Sequence, residues 1–156
     1  MYLSRLFNSL YGPMHEQVAH EMLALNERTK EFGLTLSLED IQAMIAARSQ
    51  VLSHHGRVEL SFEVTKELIL SFSESSFIEQ EYYADTLNEL QEMFYYLKNE
   101  TEDQIRDTDL LIKMKNLFEE ECEGSIELLR SRLEEFAEKF RSDMLKYESR
   151  DEGGED

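Results

Sequence analysis

Residues 77–100 read Phe-Ile-Glu-Gln-Glu-Tyr-Tyr-Ala-Asp-Thr-Leu-Asn-Glu-Leu-Gln-Glu-Met-Phe-Tyr-Tyr-Leu-Lys-Asn-Glu and hold six of the chain's sixteen aromatic residues. Tyr83, Leu87, Leu90, Phe94 and Leu97 recur at steps of three and four, the period of one helix face. Burying that row contributes on the order of 10 kcal/mol gross, at ~1.5–3 kcal/mol for each large side chain. A second, mixed row runs beside it through Tyr82, Glu89, Met93, Tyr96 and Glu100. Phe94, Tyr95 and Tyr96 are consecutive rings about 100° apart, so one flat contact cannot cover all three. Such a helix belongs inside a bundle, or keeps part of its aromatic surface for a ligand or partner.

The rest of the chain reads the same way. It has one proline and six glycines in 156 residues, with an apolar content of 41% that can supply a core. The expected fold is all-α, a compact bundle of five to six helices with no sheet. Pro13 suits the first position of a helix running to about Phe32, which Gly33 stops. Ser37, with Asp40 three residues on, is a capping box for a helix that ends at His54-His55-Gly56. Val58, Leu60, Phe62 and Val64 alternate as in a strand. A lone strand has no partner, so the segment reads as an extended linker entering a helix near Phe62 and ending around Phe72. Ser76 and Glu79 form a further capping box that would start the aromatic helix. Asp107 or Thr108 caps a helix to about Cys122, with Gly124 after it. Ile126, Leu129, Leu133, Phe136, Phe140 and Tyr147 give the last helix a heptad-like seam. These boundaries make residues 1–12 an amphipathic segment, 13–148 a single helical-bundle domain and 149–156 a disordered acidic tail.

Thirty-four acidic against sixteen basic residues give a formal charge of −18. Phosphate contacts need clustered Lys and Arg, and here the basic residues interleave with acids, as Arg130, Arg132, Lys139 and Arg141 do with Glu134, Glu135 and Glu138. Direct nucleic-acid binding and attachment to an anionic membrane are disfavoured on that ground. Cys122 is the single cysteine, so no intrachain disulfide forms, and a reducing cytoplasm fits best. Its four flanking glutamates oppose a reactive thiolate.

Metal and catalytic motifs fail on spacing. His15 and His20 are five apart, about 140° around a helix, and cannot grip one zinc ion. No glutamate has a histidine three residues later, as a carboxylate-bridged di-iron site needs. Asp107-Thr108-Asp109 lacks the glycine and the distal glutamate of a calcium loop. Glycine loops for phosphate and nucleophile elbows are missing. No metal or cofactor is implied.

Arg48 is the exception among the charged residues. It falls within the stripe Leu38, Ile41, Ile45, Leu52 and His55, expected to be the buried face, where a guanidinium needs a carboxylate partner. Arg57 and Glu59 follow on the linker. Two readings share these groups. In one, Arg48 or Arg57 pairs with Glu59, Glu89 or Glu100 in a buried polar network, with hydroxyls such as those of Tyr82, Tyr83 and Tyr96 satisfying leftover donors. In the other, the same residues line a pocket for a small anionic or aromatic ligand.

Phe32-Gly33-Leu34-Thr35-Leu36-Ser37, Gly56-Arg57-Val58-Glu59, Phe94-Tyr95-Tyr96-Leu97-Lys98-Asn99-Glu100 and Gly124-Ser125 together resemble a family of small helical bacterial proteins of unknown function. The resemblance spans most of Asn26 to Leu129. It implies one globular domain and carries over no catalytic residue.

The favoured expectation is a non-enzymatic, cytoplasmic interaction or accessory protein. Its acidic exterior would steer a basic partner and an exposed apolar patch would hold it. Candidate patches are Leu3, Phe7 and Leu10 and the last helix's seam, which could also join copies as a homo-oligomer. A small-molecule-binding protein or enzyme using Arg48, Arg57, Glu59 and Tyr96 is the alternative, and an acidic nucleic-acid mimic a third reading.

Overall fold

The capping box at Ser37 is formed. The Ser37 hydroxyl accepts from the Asp40 amide at 3.1 Å, and the Asp40 carboxylate accepts from the Ser37 amide at 3.0 Å. Two of the otherwise orphaned helix donors are thereby satisfied. This is a computed structural model that describes residues 15–153, with side chains for residues 15–148. The fold is all-α, with no strand among the described residues. Residues 15–24 are helical (α1), followed by α2 (Asn26–Thr29) and a 3₁₀ turn, Lys30–Phe32. Then come α3 (Leu38–His54), α4 (Glu63–Ser73), a second 3₁₀ turn at Gln80–Tyr82, α5 (Tyr83–Glu100), α6 (Asp107–Glu119) and α7 (Ile126–Gly153). The segment of Leu3, Phe7 and Leu10, the Pro13 start and residues 154–156 lie outside the described residues.

Several boundaries depart from the sequence reading for local reasons. The first long helix breaks at Leu25, and the chain reaches Phe32 through a short helix and a 3₁₀ turn. Gly33 still ends it at φ +78°, and the Leu34 amide returns to the Thr29 carbonyl at 3.3 Å. The Ser76 box does not form. Instead the neighbouring Ser75 is buried, its hydroxyl accepts from the Phe77 amide, and Ile78 folds inward. Those anchors hold residues 74–79 out of the helix, so α5 starts at Tyr83 after Gln80–Tyr82. At α6, Arg106 is the cap and Asp107 the first helical residue. Cys122 lies beyond α6 in the turn, where burial pushes its thiol pKa up. That turn reverses through Glu123 at φ +46° and Gly124 at φ +82°. Glu123 holds a left-handed conformation costly for a residue with a Cβ, so Glu123→Gly is expected to raise stability by about 0.5–1 kcal/mol in urea titration. An unchanged or lower midpoint would contradict a strained Glu123.

The chain divides into two compact units, Met1–Asn88 and Glu89–Asp156, with the division inside α5. In the first, Met22, Leu36, Ile41, Met44, Ile45, Leu68, Ile69 and Phe72 are among the buried residues, and α2 touches α4. In the second, α6 packs on α7, Leu110, Met114, Phe118, Leu129 and Leu133 are buried, and the Lys113 ammonium sits 4.9 Å from the Phe136 ring centre. The row Tyr83, Leu87, Leu90, Phe94, Leu97 is wholly buried, as its spacing requires. No helix among the described residues is long and apolar enough to cross a membrane.

Candidate interaction surface

Arg48 stands on the buried face of α3 and is only 4% exposed. The carboxylate expected for it is absent from its described partners. Its Nη2 donates to the carbonyl oxygens of Glu59 at 2.7 Å and Ser61 at 2.8 Å, and the guanidinium lies 3.9 Å from the Phe62 ring centre. Arg48 Nε is buried without a hydrogen bond. Carbonyl dipoles and a ring face thus replace the anion, which suits a weakly hydrated planar cation. The Arg57 guanidinium and Glu59 carboxylate approach to 3.7 Å nearby, both largely buried. The two clipped carbonyls are two residues apart and face one donor, the period of extended chain. The alternation read in the sequence is therefore real but inverted at its start. Arg57 and Glu59 turn inward, while Val58 and Leu60 are 88% and 79% exposed. Periodicity reveals two faces without saying which is wet, and the buried guanidinium decides it.

The remaining candidates separate. Tyr82 is exposed on the 3₁₀ turn, and Glu89 is exposed on α5. Tyr83 is fully buried, its hydroxyl has no hydrogen bond of regular geometry, and burial pushes its pKa up to about 12. The Thr29 hydroxyl pulls the value the other way but gives its own proton to the Leu34 carbonyl at 2.8 Å. Between about pH 10 and about pH 12 the unfolded phenol ionises while the folded one keeps its proton. Stability should therefore fall across that window, by up to ~1.4 kcal/mol per pH unit. Tyr83→Phe should remove this component of the alkaline decline and leave neutral-pH stability unchanged or up to ~1 kcal/mol higher, since an unpaired buried hydroxyl is deleted. Unfolding curves at pH 7 and pH 11 check both signs. In the second unit Glu100 takes an ion pair from Arg141. Tyr96 is half-buried, its pKa raised first by burial and then by the Glu100 and Glu134 carboxylates. The described partners of Arg48 lie in the first unit and those of Tyr96 and Glu100 in the second.

A more exposed feature lies along residues 34–36, in the first family-like phrase. The Asn26 carboxamide makes a reciprocal pair with Leu36, accepting from its amide and donating to its carbonyl, each at 2.8 Å. The Gln80 carboxamide does the same for Thr35, at 2.8 and 2.9 Å. Thr29 accounts for both backbone groups of Leu34. Leu34 and Leu36 point into the core. This short extended loop is locked between two side-chain amides and has no free backbone edge.

Around that lock stand Phe32, Leu38, Phe77 and Tyr82, each 43–56% exposed; Leu38, expected on the buried face of α3, is the first residue of that helix and burial begins only at Ile41. Phe32 and Leu38 are three residues from Thr35, Phe77 three from Gln80 and Tyr82 two. At ~3.6 Å per residue, their Cα atoms lie within about 11 Å of the lock. Glu31, Glu39, Glu79, Glu81 and Asp85 are exposed beside them. Between Lys66 and Lys98 the chain carries seven carboxylates and no cation. Large exposed apolar groups rimmed by charge mark a contact surface. A helix capped at Ser76 would hold Phe77 and Tyr82 on the aromatic helix. Only the late start of α5 and the Gln80 pair bring them to the loop.

The chain belongs to a family of unknown function, DUF6323, whose model matches residues 21–146. Neither the curated proteins nor the solved structures contain a match to this chain.

Proposed function

We propose that this member of a family of unknown function is a non-enzymatic, cytoplasmic protein-interaction module. What carries the reading is the half-exposed set Phe32, Leu38, Phe77 and Tyr82 around a loop already fixed by Asn26 and Gln80. A prefixed backbone lowers the ordering cost of binding, so apolar contact converts more fully into affinity. The acidic rim adds steering toward a basic partner. A ligand pocket on Arg48, Arg57, Glu59 and Tyr96 has less support, because Arg48 is held by backbone carbonyls and an aromatic face. The buried single cysteine accords with a reducing compartment.

Capture from the host with wild-type protein and with a Phe32→Ser/Tyr82→Ser variant tests the module. Both side chains are about half-buried, so the variant should lose about 1.5–3 kcal/mol, and its fold is checked by circular dichroism before capture. A partner retained at constant ratio by wild type and lost by the variant is the expected result. Identical retention by both proteins would remove the surface from consideration.

A further inference from the structure

Resting on that reading, we propose that the Phe32–Leu38/Phe77–Tyr82 surface receives a basic amphipathic helix from a partner protein. Three observations select this occupant. The surface offers four large apolar groups, as a helix needs for anchors at i, i+3 or i+4, and i+7. Its rim carries Glu31, Glu39, Glu79, Glu81 and Asp85. On the same two segments, Lys30 is committed to Glu27 at 2.7 Å. Lys30 also faces Glu31, yet five carboxylates leave the rim net acidic, so Lys and Arg on the partner's flanks meet opposite charge, whereas a second copy would meet its own acids.

The third observation concerns backbone. An extended peptide would bind by adding a strand, which requires unpaired N–H and C=O groups along an edge. Residues 34–36 have none to give, because Thr29, Asn26 and Gln80 occupy them. A helix satisfies its own backbone and binds through side chains alone, so it loses nothing on this surface.

The test uses an eighteen-residue peptide with leucine at i, i+3/i+4 and i+7 and lysine elsewhere, titrated into the full chain with amide-resolved NMR. The same peptide with glutamate for lysine and a sequence-scrambled lysine peptide serve as controls. Expected are amide changes centred on residues 31–39 and 77–85, and affinity falling at least tenfold between 50 and 500 mM salt. Phe32→Ser/Tyr82→Ser, which leaves the charge unchanged, should weaken binding by at least tenfold. Equal binding of the scrambled or glutamate peptide, changes centred elsewhere, or a dimer abolished by the same variant would each overturn the inference. If the peptide fails while host capture still depends on Phe32 and Tyr82, the helix is wrong and the interaction module stands. If capture is indifferent to them, the module itself falls.

Discussion

Asn26→Leu is expected to lower stability by about 3 kcal/mol and the melting temperature by about 6–12 °C. The Asn26 carboxamide is the sole described partner of both backbone groups of Leu36, a residue that is buried. Leucine keeps the volume and removes both bonds, leaving one amide and one carbonyl dehydrated and unpaired. Each such group costs ~1–3 kcal/mol, which outweighs any gain from burying a larger apolar side chain. Gln80→Ala makes the informative contrast. It deletes an equivalent reciprocal pair, but at an exposed position where water replaces the lost partners, so the cost should stay under about 1 kcal/mol. Urea titrations of the two variants settle the matter, and equal midpoints would show that burial at Leu36 is not what makes the Asn26 pair matter.

Arg48→Ala should cost about 2–4 kcal/mol and free the linker. The change removes two charge-assisted bonds and the contact with Phe62, while relieving the burial of a cation that has no described carboxylate. Arg48→Met should cost roughly half as much, because it keeps the stem and the ring contact and also disposes of the charge. Local opening provides a second readout. The Arg57 amide donates to the Leu52 carbonyl at 2.8 Å where the linker leaves α3, and its hydrogen exchange should accelerate in both variants. A ligand-gripping Arg48 would behave oppositely, with little loss of stability and no change at Arg57.

The sequence carried the fold further than the surface. Ser37 and Gly33 were readable because a cap and a helix stop depend on residues within a few positions of each other. The buried row of α5 was readable because helical period is a local property. The Ser76 box was misleading for a reason the same logic cannot see. Ser76 and Glu79 have the right spacing, but Ser75 and Ile78 are anchored inward and hold that stretch out of the helix. Val58 and Leu60 were equally opaque, since their exposure follows from a guanidinium held against Glu59 and Ser61 from another helix. The apolar surface depends on Thr35 meeting Gln80, a pairing 45 residues apart in the chain. Nothing within either segment announces it.

The cation-free run between Lys66 and Lys98 also dictates how this surface can be observed chemically. Trypsin cuts after lysine and arginine, so Phe77, Gln80 and Tyr82 all leave on one 32-residue peptide, Glu67–Lys98. Amine-directed cross-linkers and labels find no target inside that stretch and could report on this surface only through Lys30 of the neighbouring segment. Carbodiimide coupling inverts the picture. It activates the carboxylates, and a lysine-rich partner would supply the amines, so a zero-length bond at Glu79, Glu81 or Asp85 would record the encounter directly.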